Sequence, residues 1–303
     1  MMVRRPCLLV CLLCSAFFFL HAQQESPPPV SEWSVSFGSS YFFSPWNDFN
    51  NYYRGVQTRL AADPDVSSLR MDVGGVKTMV EWTGRISYRF SENACVSAFV
   101  SYSGREAGVQ ARFRWRQASD IDNERDFWLE VVTAGLGYSL DIQLSEGIRG
   151  FLGADLGLSK GMLDVTFVGR ETVDSQSGNL DRYFAKLRDD AIMVAPRIGV
   201  EYQITPSIHI EGVLTYRFLT FQKLAGTGTT KLSSYSGGTS SWAEGNAPVT
   251  LVGQGDYWGL QFDTWRLSYV IPSLEGFVWY GSTPPAPFDM SALGISIRIL
   301  WVL

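Results

Sequence analysis

Asp120-Ile121-Asp122, His209 and Cys95 are the residues whose types could do hydrolytic or nucleophilic chemistry, and their spacing keeps them apart. Two aspartates one residue apart can activate a water only with a base or metal beside them. His209 is one of two histidines, and the other, His21, sits in the leader described below. A lone histidine cannot supply the three or four ligands of a metal site. Cys95 has no histidine or cysteine near it in sequence. Asp120 and Asp122 therefore read as solvated loop residues, and no catalytic group, metal or cofactor is expected. In Ala111–Arg116, Arg112, Arg114 and Arg116 alternate with Phe113 and Trp115. Such a patch could grip anionic headgroups or glycans, but a strand extension turning its charged face to water is the preferred reading.

A second set of ions has a more informative spacing. Glu81, Arg85, Asp155, Arg197, Glu201, Glu211 and Arg298 all lie on one parity of a two-residue alternation, and the other parity is oily. From Met79 to Phe90 one face reads Val80, Trp82, Gly84, Ile86, Tyr88, Phe90, and the other reads Met79, Glu81, Thr83, Arg85, Ser87, Arg89. Successive side chains of a strand point to opposite faces, so such a segment has one apolar side and one charged side. Arg89, Arg149, His209 and Arg217 share the charged parity. Placed around a lumen, these groups would either pair and plug it or leave a gap and set the selectivity of a small pore.

The elements that must position these charges are strands throughout. Candidates run from Glu32 to Phe43, Met79 to Phe90, Val96 to Tyr102, Trp128 to Leu140 and Ile148 to Ser159. Others run from Ile192 to Ile204, Ile208 to Phe218, Asp256 to Ile271, Gly276 to Tyr280 and Leu293 to Leu303. A parity break near Asp263 suggests a bulge, and Pro196, on the oily parity, suggests another. Ten strands are favoured, with eight as the alternative that leaves Trp265–Tyr280 outside. Connections alternate in length. Short turns fall at Ser91, Gln143, Thr205 and Pro272; long segments cover Ser44–Lys77, the stretch ending at Asp126, Gly169–Asp189 and Gln222–Gly255.

Arg4 and Arg5, an apolar run from Cys7 to Leu20 and Ala22 describe a secretory signal over 1–22. A Pro-rich spacer over 23–31 precedes the first strand. Three of the four cysteines lie in the leader, so a processed chain would have no internal disulfide. A net charge of −5 argues against nucleic-acid binding.

Lipid explains the pattern better than a soluble core does. Burying so many ions in a sandwich would cost several kcal/mol each unless paired. Lipid tolerates no open sheet edge, so the strands must close on themselves. The oily face carries almost no charge; Glu130 is the exception, near a strand end. Aromatics gather at both strand ends: Trp33, Tyr88, Tyr138, Tyr202, Tyr269 and Trp301 at one, and Tyr41, Trp82, Trp128, Tyr216 and Trp258 at the other. The fold class expected is all-β, a closed antiparallel transmembrane β-barrel over 32–303.

With this signal, these strands, the sorted loops and the ending Ile299-Leu300-Trp301-Val302-Leu303, the chain resembles small bacterial outer-membrane β-barrel proteins, and most the OmpW/OmpA-like barrels of spirochaetes. Those barrels usually end in Phe, where this chain has Leu303. The resemblance implies residence in the cell outer membrane and a narrow channel or carrier for small solutes, hydrophobic ones included. A non-conducting structural or adhesin barrel presenting extracellular loops is the alternative. Expected partners are outer-membrane lipid, solutes in the lumen and host molecules at the loops. Ten strands also bring the omptin proteases to mind, but Asp120-Ile121-Asp122 lacks the histidine those sites require. An enzyme is not expected.

Overall fold

Two-residue alternation is realised as strand along most of the described residues. The computed structural model describes residues 32–43, 47–74, 77–116, 118–174, 177–236, 239–254, 257–262, 278–279, 285 and 287–303. The expected leader, the spacer, the break near Asp263, the turn at Pro272 and Tyr269 lie outside them. β1 (Glu32–Phe43) leads into α1 (Asn47–Ala62), which ends ahead of Asp63-Pro64, and β2 (Val66–Gly74). Then come β3 (Thr78–Ser91), β4 (Ala94–Trp115), β5 (Ser119–Ser145), β6 (Ile148–Asp174), β7 (Ser177–Thr205) and β8 (Ile208–Phe221). β9 (Ala225–Ser236), β10 (Thr239–Gln254), β11 (Tyr257–Phe262), β12 (Val278–Trp279), β13 (Phe288–Asp289) and β14 (Ala292–Val302) complete the order.

Eight of these strands pair in a cycle. β1 pairs with β3, and β3 through β8 pair in sequence. β8 then pairs with β14, and β14 returns to β1; every pairing is antiparallel. The favoured ten-strand order would put two strands between β8 and β14. Instead Ile208–Arg217 face Trp301–Ala292 directly, leaving no place for them. The described part of the eighth candidate, β11, pairs with β10 off the cycle, and that of the ninth, β12, pairs in parallel with β11.

Two-residue turns at Glu92-Asn93, Glu146-Gly147 and Pro206-Ser207 join β3 to β4, β5 to β6 and β7 to β8 at one end. Gly147 takes φ +71°, a left-handed conformation that a side chain resists. Leu303 N donates to Trp33 O at 2.9 Å at this same end. Pro196 needs no bulge. The β7–β8 register is the same before it (Val194 with Phe218) and after it (Arg197 with Thr215), and only the intervening pairs lapse.

At the other end the expected loops are largely ladder. β4 and β5 stay paired from Ser103–Val131 out to Trp115–Ser119, and β6 and β7 from Gly169–Asp181 to Asp174–Ser177. β9 and β10 occupy most of Gln222–Gly255. β7 changes partner on the way, from β8 at Met193–Leu219 to β9 at Arg188–Ala225. β2 continues the wall on the free side of β4.

The physical reason these segments looked like loops is that parity persists while polarity inverts. On β5 the inward residues change from Ile121, Phe127, Leu129 and Val131 to Thr133, Ser139 and Asp141. The outward ones change from Asp120, Asp122, Glu124 and Asp126 to Val132, Leu136 and Tyr138. β6 and β7 do the same: outward Lys160, Arg170, Arg182 and Arg188 give way to Leu156, Leu158, Ile192 and Ile198. The change falls along one row of register partners, Tyr102, Val132, Lys160 and Asp190. Below it, the oily outside of β5 runs about 11 residues, which at ~3.3 Å per residue and ~45° tilt makes a band of about 25 Å. Above it, the inside is a hydrophobic core including Leu129, Leu163, Leu187, Leu219 and Phe221. Tyr53 of α1 is buried in that core, its ring edge-on to Phe127 at 6.0 Å.

Candidate functional site

Below the polarity change, the inward parity of seven strands (β1, β3, β5, β6, β7, β8 and β14) carries adjoining groups of ion pairs. Each of the seven expected lumen residues is there: Arg85, Arg298, Asp155, Arg197, Glu201, Glu211 and Glu81 are 4 to 8 % exposed. Asp155 on β6 is held from two sides. Arg85 on β3 donates to it at 3.0 and 2.5 Å, and Arg197 Nε on β7 lies 3.2 Å from Oδ1. Arg85 also donates to Ser97 Oγ at 2.6 Å and stacks its guanidinium 5.1 Å from the Phe99 ring. Gly137 makes room for this arrangement, because a Cβ there would collide with Asp155 Oδ1, Arg85 Nη1 and Ser97 Oγ.

Next to it, Arg298 on β14 and Glu211 on β8 are register partners with their charged atoms 3.7 Å apart. Toward the short turns, Glu201 gathers His209 Nδ1 at 2.5 Å, Arg149 at 3.3 Å and Arg89 at 3.5 Å. Arg89 reaches on to Glu32 at 2.6 Å and Asp141 at 3.1 Å. Toward the long extensions, Arg217 donates to Glu81 at 2.8 Å and to the Met290 carbonyl at 3.4 Å, under the Phe42 ring at 4.1 Å.

Arg85, Arg89, Arg149, Arg197, Arg217 and Arg298 thus meet Glu32, Glu81, Asp141, Asp155, Glu201 and Glu211, like number against like number. Glu32 and Asp141 were not among the expected site residues. Both follow the same parity as their charged neighbours, so extending the alternation to the strand ends would have found them. Most of these side chains are buried, and Arg89, Arg149 and Glu32, toward the short turns, are the more open ones.

The remaining candidates are surface features or strand residues. Arg112 pairs with Asp122 at 3.1 Å, Arg114 with Asp120 at 3.8 Å and Arg116 with Asp65 at 3.1 Å, all solvent-exposed. Asp120 and Asp122 are therefore engaged in cross-strand pairs. Exposed pairs of this kind contribute little, so Arg112→Ala should change unfolding free energy by less than about 0.5 kcal/mol in a urea titration. Cys95 is half-buried beside its turn. Burial, reinforced by the Glu106 carboxylate, holds the Asp126 carboxyl above the usual carboxylate range on the outer face of the extension. Glu130, the exception on the oily face, accepts a hydrogen bond from Tyr102 at 3.1 Å at the level of the polarity change. Of the expected aromatic bands, Trp33, Tyr202 and Trp301 at one end and Tyr41, Trp82, Trp128 and Tyr216 at the other are exposed, while Trp258 lies on β11, off the cycle. Trp33 packs on Tyr88 at 4.8 Å at one end and Phe37 on Trp82 at 5.8 Å further up.

No protein-family model matches the chain, and no curated protein matches it. Among solved structures the chain is similar to the outer membrane protein OprG from Pseudomonas aeruginosa, at 12% identity and TM-score 0.35, covering 91% of this chain and 97% of that one. It is similar to Ail, the attachment invasion locus protein of Yersinia pestis, solved with the heparin analogue sucrose octasulfate, at 15% identity and TM-score 0.31, covering 72% and 97%. It is also similar to the outer membrane protein AlkL in lipid bilayers, at 13% identity and TM-score 0.31, covering 92% and 93%.

Proposed function

We propose that the chain is an eight-stranded, closed outer-membrane β-barrel whose lumen is plugged by ion pairs and which carries a rigid β-extension outside the cell. The carrying observation is the inversion of polarity at the Tyr102–Val132–Lys160–Asp190 level. Below that level the solvent outside the strands is lipid; above it, water. The short turns face the periplasm and the extension faces out, as in barrels of this membrane. Its role is structural or adhesive: the barrel anchors and orients the extension, and the extension meets other molecules.

The narrow channel or carrier has less support. A conducting lumen needs charges that stand clear of one another, and here Arg85, Arg197 and Asp155 lock together across β3, β6 and β7. Small barrels commonly have interiors filled by side chains. In planar bilayers the purified, heat-modifiable protein should give no channel events. Stepwise conductance would restore the pore reading, with Glu81, Arg85, Asp155, Arg197, Glu201, Glu211 and Arg298 as its lining.

A further inference from the structure

Among the described residues, β2 has a strand on only one side of its backbone. Arg70–Gly74 pair with Arg112–Gly108 of β4, and no strand among the described residues takes the other side. β1, which flanks β3 below, ends at Phe43 opposite Thr78. Such an edge is a template for one more strand. Its side chains are patterned about their own centre. Leu69, Met71 and Val73 lie half-buried on the inward face, while Arg70 and Asp72 are exposed on the outward one. Neither Arg70 nor Asp72 makes an ion pair among the described residues. Arg70 instead faces Arg112 across the ladder, and the carboxylate beside Arg112, Asp122, is engaged by Arg112 at 3.1 Å.

We infer that β2 is a homophilic edge, pairing antiparallel with β2 of a second copy about a two-fold axis through Met71. In that register Arg70 lies opposite Asp72 of the second copy and Asp72 opposite its Arg70. On the inner face, Leu69 meets Val73 and Met71 meets Met71. Arg70 receives a carboxylate, and the second backbone edge of β2 is paired.

Symmetry then decides where the second copy sits. Antiparallel strands in one sheet are related by a two-fold axis perpendicular to that sheet. A barrel wall stands along the membrane normal, so this axis lies in the membrane plane and turns the second copy upside down. The two copies belong to opposing membranes. Met71 is level with Ala111, about nine residues beyond Tyr102, or ~20 Å above the lipid band at ~3.3 Å per residue and ~45° tilt. The facing bilayer cores are therefore held about 40 Å apart. One short strand pair is a small interface, so the contact works through many copies on each surface.

The inference rests on the presenting role proposed above, and its test is independent of conductance. Protein inserted into preformed phosphatidylcholine vesicles, with outward extension verified by protease shaving, should aggregate them and raise turbidity, less so in high salt. Vesicles bearing Arg70→Asp alone or Asp72→Arg alone should lose most of that signal, since each variant presents like charges to itself. The two variant populations mixed together should aggregate each other, and the double variant Arg70→Asp/Asp72→Arg should regain self-aggregation. Heat-modifiable migration checks that each variant is folded. Absence of wild-type aggregation, indifference to both single changes, or failure of mixing and of the double variant to restore it would each overturn the inference. A barrel that conducts yet still aggregates vesicles would remove the proposed role and leave the homophilic edge standing.

Discussion

Asp155→Asn should destabilise the folded barrel by about 3–5 kcal/mol, the cost of removing one partner from a buried ion pair. Asp155 is the anion between Arg85 and Arg197, and all three side chains are buried. An amide keeps the shape and loses the charge, so two guanidiniums would face one another at close range in a low-dielectric interior. Urea unfolding in vesicles, followed by tryptophan fluorescence, measures the loss. Replacing all three together (Arg85→Met, Arg197→Met and Asp155→Leu) should recover most of it, because apolar side chains of like volume need no partner. If Asp155→Asn cost under about 1 kcal/mol, the range of exposed pairs, water would reach these groups and the plugged lumen would be untenable.

Leu136→Arg should cost about 2–4 kcal/mol in lipid, the value for an arginine on the lipid face near the bilayer midplane. Leu136 is 68 % exposed on the outer face of β5, opposite Leu156 of β6. Thr166→Arg, also on an outward parity but beyond the polarity change, should cost close to nothing. The same type of substitution on the same face of one sheet thus reports which solvent each level meets. Equal penalties at the two positions, measured by urea unfolding in vesicles, would contradict a membrane boundary at Tyr102–Val132–Lys160–Asp190.

Much of this molecule can be read in its residues, but unevenly. Alternation placed Glu81, Arg85 and Asp155 on the inner face, because strand geometry makes parity a local property. The same reasoning stopped short at β4–β7. That rule seeks apolar residues on the outside, and beyond Tyr102 the apolar Ala107, Val109, Phe127 and Leu163 are buried on the inner face, so it no longer recognises a strand. α1 and β2 were passed over inside Ser44–Lys77 for a related reason. Helix α1 holds the core by a few residues, chiefly Tyr53, and β2 owes its strand conformation to β4.

The order of residues by itself determined strand parity, which face is charged, where the short turns fall and the apolar ending of the last strand. These follow from side-chain direction and turn chemistry, which act over a few neighbours. Tertiary structure alone decided the rest: that β8 meets β14 with nothing between, that Arg85 and Arg197 share Asp155, and that β2 has a strand on only one side among the described residues. Each depends on strands distant in the chain arriving in one register, and register is a property of the pair of strands, not of either sequence.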